Sequence, residues 1–409
     1  MKKHNINDLA VFSGTPTFTR IRPIGQLFAP PVDEFLELLR IPYESRHLTN
    51  DGVLVRQLEE DLREYHGVRN CIAVASAALG LTMLSQVFAN GRNGQVIMPA
   101  FSYRGLPHFV KWAGQQPRYC DVDPVSHCLD PGCVEDMIDK QTTSILHVCN
   151  FNSPGDIAGL CEIAGKYDVP VFLDSVYAMG CSLNGVMLGG LGKAEVYSIH
   201  ATKLLNGFEG GYITTDDDNL AELLRWQRNF ALPGLQPDRY DGNQYILGIN
   251  AKLNELHAAM ALLSLRRIDE IIERNKRRYL AYCEIIAQIP GLKILPCNDS
   301  LADKRNYQMA VIEIGEEWPL SRDQIHVLLR AEGCAINPYY SPPLYRSASM
   351  SGQPETFSLP VTEKLSKRFL QLPVGEHVTV EDIHEIGHLL EFLHLNGAEI
   401  ALRLNTLEH

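Results

Sequence analysis

The stretch "SIHATKLLNGFEGGYITTDD", residues 198–217, places a single lysine, Lys203, after an apolar strand-like run and before the pair Gly210-Gly211. A lysine kept for solubility needs no such framing. A lysine whose amine must bond reversibly to a carbonyl compound, and shuttle a proton when freed, does. Two further features carry related chemistry. Asp174 ends the apolar run "VPVFLD" (169–174); ligands gather outside the carboxyl ends of parallel strands, although an acid there can equally cap the next helix. The small-residue turn "ASAALG" (75–80) joins a strand to a helix, and backbone N–H groups at such a helix start favour an anion, usually phosphate. Taken singly, each has a plain structural reading as a solvated charge, a cap or an ordinary turn.

Joined, the three fit one cofactor. Pyridoxal phosphate requires a lysine for its aldehyde, a carboxylate that keeps its ring nitrogen protonated, and a dipole-rich cradle for its phosphate. An aromatic ring on the cofactor face completes such a site, and "AFSYRG" (100–105) offers Phe101 and Tyr103.

The elements that must hold these residues are legible as a repeated strand–turn–helix pattern. "VLVRQLEEDLREYHG" (53–67) has helical apolar spacing and a glycine stop. Short apolar runs at 70–76, 95–100, 116–123, 143–150 and 169–175 alternate with helical segments. The runs are continuous rather than alternating, which suits a mainly parallel sheet with helices on both faces. Residues 1–50, broken by Pro23, Pro30 and Pro31, read as an N-terminal arm; 50–265 reads as the cofactor-binding large α/β domain. One long helical pattern (254–291) leads out of it, and 266–409 reads as a smaller C-terminal α+β domain.

Length and composition narrow the function class. A chain of 409 residues can bury more than one core. A formal charge of −12 argues against a nucleic-acid coat, because phosphate binding on that scale needs a basic surface. No apolar run reaches the roughly 20 residues of a membrane span, and no secretory leader pattern opens the sequence, so a cytoplasmic protein is expected. The ten cysteines form no CxxC pair and most lie in apolar runs, as reduced buried thiols would; no metal site is expected.

The order phosphate turn, aromatic, aspartate, lysine resembles the aspartate-aminotransferase-like architecture, the type I fold of pyridoxal phosphate enzymes. The similarity extends over nearly the whole chain, through "RHLTNDGVLVRQLEEDL", "VIMPAFSYRGLPHFVKWAG", "IHATKLLNGFEGGYITTDD", "RNFAL", "GINAKLNELHAAMALLSL" and "YYSPPLY". On these motifs the chain resembles the DegT/DnrJ/EryC1/StrS sugar aminotransferases, and is most similar to those aminating 4-keto-6-deoxy sugars linked to nucleotides. The resemblance implies that Lys203 carries the cofactor and that Asp174 meets its ring nitrogen. It further implies that Tyr103 stacks on the ring, that Ser198 reaches the phosphate beside Ser76, Ala77 and Ala78, and that His200 lies near the sugar. It places Asn229 against the phosphate of a neighbouring subunit, hence a homodimer with a shared site. Glutamate, or a similar donor, is the implied amine source. Alternatives are amination of a cyclitol, an elimination on another natural-product intermediate, or a non-catalytic cofactor-binding protein. The dehydratase branch of the family replaces the lysine by histidine, so Lys203 argues against it.

Two positions depart from the family pattern. Tyr177 stands three residues after Asp174, where glutamine or histidine usually bonds the cofactor's phenolic oxygen; a phenol can donate one hydrogen bond there but is larger. The turn Ser76-Ala77-Ala78 lacks the usual threonine hydroxyl, the net worth of one charge-assisted bond of roughly 1.5–3 kcal/mol.

Overall fold

A computed structural model describes residues 2–237, 242, 245–295, 303–347 and 358–407. The N-terminal half is built of alternating helices and strands: α1 (Val32–Ser45), α2 (Val53–His66), β1 (Asn70–Val74), α3 (Ala77–Ala89), β2 (Gln95–Pro99), α4 (Leu106–Trp112), β3 (Gln116–Cys120), α5 (Pro131–Glu135), β4 (Thr142–Val148), α6 (Ile157–Lys166) and β5 (Val171–Asp174). A small hairpin, β6 (Ser182–Leu183) and β7 (Val186–Met187), precedes β8 (Ala194–Ser198), β9 (Gly211–Thr215) and α7 (Asp218–Gln227). Then come α8 (Glu255–Leu265), α9 (Ile268–Ile286), β10 (Leu292–Leu295), β11 (Ala310–Ile314), α10 (Arg322–Ala331), β12 (Asn337–Tyr339), α11 (Pro360–Leu365), β13 (Phe369–Leu372), α12 (Val380–Leu395) and α13 (Gly397–Leu407).

Seven strands form the main sheet in the order β1-β9-β8-β5-β4-β2-β3. The pairings β8–β5, β5–β4, β4–β2 and β2–β3 are parallel, while β9 runs antiparallel to both β1 and β8. All strands but β9 therefore end at one edge of the sheet, and β9 begins there. Burial is continuous along β4 and β5, as expected for strands covered on both faces. A second sheet, antiparallel in the order β10-β11-β13-β12, packs under α10 and α12.

Three features differ from the sequence reading. The arm, read as broken by Pro23, Pro30 and Pro31, contains the 14-residue helix α1, which starts directly after Pro31 and accommodates Pro42 within it. The long pattern 254–291 is two helices, interrupted where Arg266 and Arg267 leave the helical ladder between α8 and α9. Phe101 is fully enclosed by His127, Phe151, Tyr340 and Phe369, so it is a wedge between the two sheets and is not free to stack on a ligand. Of the nine described cysteines all are unpaired and six are buried, with Cys133 exposed; Cys297 lies outside the described residues. No described helix is long and apolar enough to cross a membrane.

Candidate active site

Lys203 occupies the tip of the hairpin between β8 and β9. Beyond Ser198 the two strands stay joined, with the N–H of Ile199 donating to the Gly210 carbonyl (3.1 Å), Gly207 to Ile199 (2.7 Å) and Ala201 to Phe208 (2.9 Å). Within the tip, Ser198 Oγ accepts from the His200 N–H (3.2 Å) and the Lys203 N–H donates to the His200 carbonyl (2.8 Å). Leu204 and Leu205 are buried and anchor the far side. The lysine thus leaves a fixed backbone, and its Nζ lies 3.9 Å from the centroid of the Tyr177 ring, whose π-face attracts a cation.

Asp174 closes β5 at the same edge. It is only 4% exposed, and its carboxylate accepts one hydrogen bond, from the Val176 N–H at 3.2 Å. Burial pushes its pKa up to about 6, against the lowering effects of that bond and of Lys203. One strand away, the equally buried Glu195 is treated differently: it accepts from Ser175 Oγ (2.6 Å), the Tyr197 hydroxyl (2.9 Å), and the N–H groups of Gly189 (2.6 Å) and Leu191 (2.8 Å). Glu195 is saturated by its own chain. Asp174 retains capacity for a cationic or N–H partner, which the sequence alone could not distinguish.

The phosphate turn follows β1. Ser76 caps α3 by accepting the Leu79 N–H (3.2 Å), leaving its own hydroxyl hydrogen free to donate. Gly211, the first residue of β9, passes so near that a Cβ would lie 2.6 Å from the Ala77 nitrogen and 2.7 Å from the Tyr197 carbonyl oxygen. The second glycine of the pair that follows Lys203 is therefore required by a close approach to the turn. A buried, under-bonded carboxylate, a lysine amine and a helix start whose capping hydroxyl can still donate are the donor and acceptor set that pyridoxal phosphate needs. The residues present fit that cofactor.

The other singled-out residues are placed as follows. Tyr103 is 55% exposed with its ring against Phe109. Tyr177 turns its face to Lys203 and its hydroxyl to Tyr339 (3.1 Å). Burial, with Tyr177 alongside, holds the Tyr339 phenol well above its usual range, so it stays neutral. His200 folds back on its own loop, with Nδ1 against Thr202 Oγ (2.8 Å) and N–H (3.2 Å), and Nε2 facing Glu209 at 3.6 Å. Asn229 pairs with Asn250, and the ribbon carrying Asn250 pairs in turn with the end of β1 through Val74–Lys252. Asn229 is thus two ribbon spacings, about 10 Å, from the strand feeding its own turn. Sequence reading missed Tyr339 and the contact role of Gly211; the signal for the latter was present as an unexplained glycine pair.

Two outcomes follow from this geometry. Gly211→Ala should push the Ala77 turn out of place, and titration of pyridoxal phosphate into the folded variant should show affinity reduced at least tenfold. Asp174→Asn separates stability from binding. Because the folded pKa of Asp174 is raised, its stabilising contribution to the cofactor-free chain is complete below the ordinary carboxyl pKa of 3.8 and is lost as pH rises through about 6. At pH 8 the cofactor-free Asp174→Asn chain should therefore melt higher than wild type, by at most about 3 kcal/mol in stability, while binding the cofactor more weakly. Melting curves at pH 5 and pH 8 check the sign, since the wild type should recover about half of the gap at pH 5.

Comparison with known proteins agrees with this geometry. The DegT/DnrJ/EryC1/StrS aminotransferase family matches residues 32–391. The chain is 27% identical over 358 residues to dTDP-4-amino-4,6-dideoxy-D-glucose transaminase of Shigella dysenteriae, covering 87% of this chain and 95% of the relative. It is also 27% identical over 346 residues to GDP-perosamine synthase of Caulobacter vibrioides, covering 83% and 90%. The crystal structure of DesI in the presence of its TDP-sugar product superposes with a TM-score of 0.91 at 34% identity, covering 98% of this chain and all of the other. With the fold, the lysine hairpin and the family match in agreement, the chain belongs to the DegT/DnrJ/EryC1/StrS family and is a pyridoxal-phosphate-dependent aminotransferase.

Proposed function

We propose that this aminotransferase moves an amino group from glutamate, or a similar donor, to the keto group of a nucleotide-linked deoxysugar, with Lys203 and Asp174 as its catalytic residues. The observation that carries the assignment of residues is the convergence of Lys203, the under-bonded Asp174 and the open turn at Ser76 on one sheet edge. The substrate class is supported by the dTDP- and GDP-sugar names of the relatives and by the TDP-sugar product of DesI.

When bound, the cofactor's ring withdraws electrons from the carbon that bears the amine, making its proton removable. Asp174 would hold positive charge at the cofactor's ring nitrogen, because its desolvated carboxylate gains most from a cation. The N–H groups of Ala77 and Ala78, with the hydroxyls of Ser76 and Ser198, would hold its phosphate. The Lys203 amine would take up or deliver a proton at the substrate carbon, and the Tyr177 ring 3.9 Å away would keep it within reach. Tyr103 would cover the ring face; His200, whose ring folds back on Thr202, is assigned to the sugar side by its match to the family position. Residues 50–265 form the cofactor domain and 266–409 the smaller domain closing over it, with 1–50 as the arm.

A second copy of the chain completes the site in this reading. Asn229 lies two ribbon spacings, about 10 Å, from the end of β1, which favours a partner other than its own turn. The chain also exposes large apolar side chains: Leu36, Tyr43, Leu48, Phe208 and Phe230 each show 41% or more of their surface. The ring of Phe208 meets Phe35 of α1, and Lys252 Nζ, beside the end of β1, lies over Phe230 at 4.7 Å. Phe230 thus lies near the end of β1, which supports a second copy of the chain covering this surface with its Asn229 towards the turn.

Lys203→Ala should abolish transfer from glutamate to a panel of 4-keto and 3-keto nucleotide sugars, read by product mass, and should leave no borohydride-reducible bond to the cofactor. Turnover at the wild-type rate in that variant would remove Lys203 from the mechanism. Asn229→Ala should remain dimeric by light scattering yet retain cofactor less well than Ser76→Ala. Were Asn229 only a local helix-end residue, the change would cost about 1 kcal/mol of stability and leave affinity intact.

A further inference from the structure

Lys203 and Tyr177 are 26 positions apart in sequence, and one side chain from outside the main sheet grips the backbone beside both. Gln308, 4% exposed and just ahead of β11, accepts the Leu204 N–H on Oε1 (3.2 Å) and donates from Nε2 to the Tyr177 carbonyl (3.0 Å). Gln308 is itself held on every side. Its N–H donates to Asn306 Oδ1 (3.1 Å), and its carbonyl accepts from Gln26 Nε2 (2.9 Å). Asn306 Nδ2 donates to the same Tyr177 carbonyl (2.8 Å) and to that of Met179 (2.7 Å). Gln26 in turn receives Asn275 Nδ2 of α9 (2.6 Å), and its N–H donates to the Thr202 carbonyl (3.0 Å), one residue before Lys203. Gln26, Asn275 and Asn306 are fully buried.

We propose that Gln308 is a positioning residue that sets the distance between the Lys203 amine and the Tyr177 ring, acting through the backbone of Leu204 and Tyr177. The inference rests on the reading that Lys203 carries the cofactor. A freed lysine has four rotatable bonds and must come back to one place between the two halves of a transfer. The hairpin tip fixes where its chain begins, and the ring of Tyr177 fixes where its amine rests. Gln308 measures the gap between those two supports, because a primary amide offers one acceptor and one donor a fixed span apart. The hydroxyl bond from Tyr177 to Tyr339 of β12 holds the other end of the ring. Both attachments come from residues after α9, so movement of that part of the molecule reaches the lysine through this amide.

The test uses the full-length, cofactor-free chain labelled with trace acetic anhydride, with mass spectrometry reading Lys203 against the exposed Lys193 in the same molecule. Gln308→Ala should label Lys203 at least threefold faster than wild type, with Lys193 unchanged. Tyr177→Leu should do the same, and the double variant should be no faster than either single one. Gln308→Glu keeps the acceptor for Leu204 but can donate to Tyr177 only when protonated. Its Lys203 should therefore label as in wild type at low pH and as in Gln308→Ala at high pH. Unchanged Lys203 labelling in a folded Gln308→Ala chain, or multiplying effects in the double variant, would reduce Gln308 to packing. If the alanine variant does not fold, a pH-independent ratio of Gln308→Glu to wild type overturns the proposal equally. No cofactor or substrate enters this measurement, so its failure is distinct from turnover surviving in Lys203→Ala, which would sink the assignment of the lysine instead.

Discussion

The backbone of β9 meets the Ala77 turn with no room for a side chain between them, and the site is organised around that contact. Because β9 is antiparallel to both neighbours, its first residue lies at the edge where β1, β8 and β5 end. The chain that leaves β8 must reverse within that edge to start β9, and the reversal is where Lys203 stands. Absence of a Cβ at Gly211 lets the reversal close against the Ala77 turn. A parallel strand in the place of β9 would begin at the opposite edge and carry the lysine away from Asp174.

Charge is distributed across this edge with unequal satisfaction. Glu195 and Asp174 lie on paired strands and are both buried, yet four donors saturate the first and one reaches the second. A buried carboxylate with one hydrogen bond is expensive to keep ionised. That cost is offset only when a cation or N–H donor arrives, which ties the stability of the edge to the ligand. The same logic appears at Tyr177, whose ring offers the lysine ammonium an attractive surface while its hydroxyl is occupied by Tyr339.

The second sheet and the N-terminal arm participate through amides rather than charges. Gln26, Asn275, Asn306 and Gln308 form a buried chain in which both functional groups of each amide carry hydrogen bonds within the protein. A fully satisfied buried network of this kind favours one geometry, since any shift leaves a donor or acceptor unpaired. It fastens the arm, α9 and the approach to β11 to the two segments that flank the lysine and the aromatic ring.

The sequence by itself determined the strand–helix alternation, the turn at 75–80, the acid at the end of β5 and the lysine before a glycine pair. These are local signals, carried by apolar runs and by small residues within a few positions of one another. Tertiary structure alone decided matters that depend on which segments meet. The prolines at 23, 30 and 31 masked α1, which is supported by packing against α8, and the ladder break at Arg266–Arg267 split one apparent helix into two. Phe101 and Tyr103, two residues apart and equivalent on paper, became a buried wedge and a half-exposed ring because only the first faces the cluster of Phe151 and Phe369. Gln308 carried no sequence signal, since its two partners lie 131 and 104 residues away. Hydrogen bonds over such separations follow from the packing of the two sheets, which no local periodicity encodes.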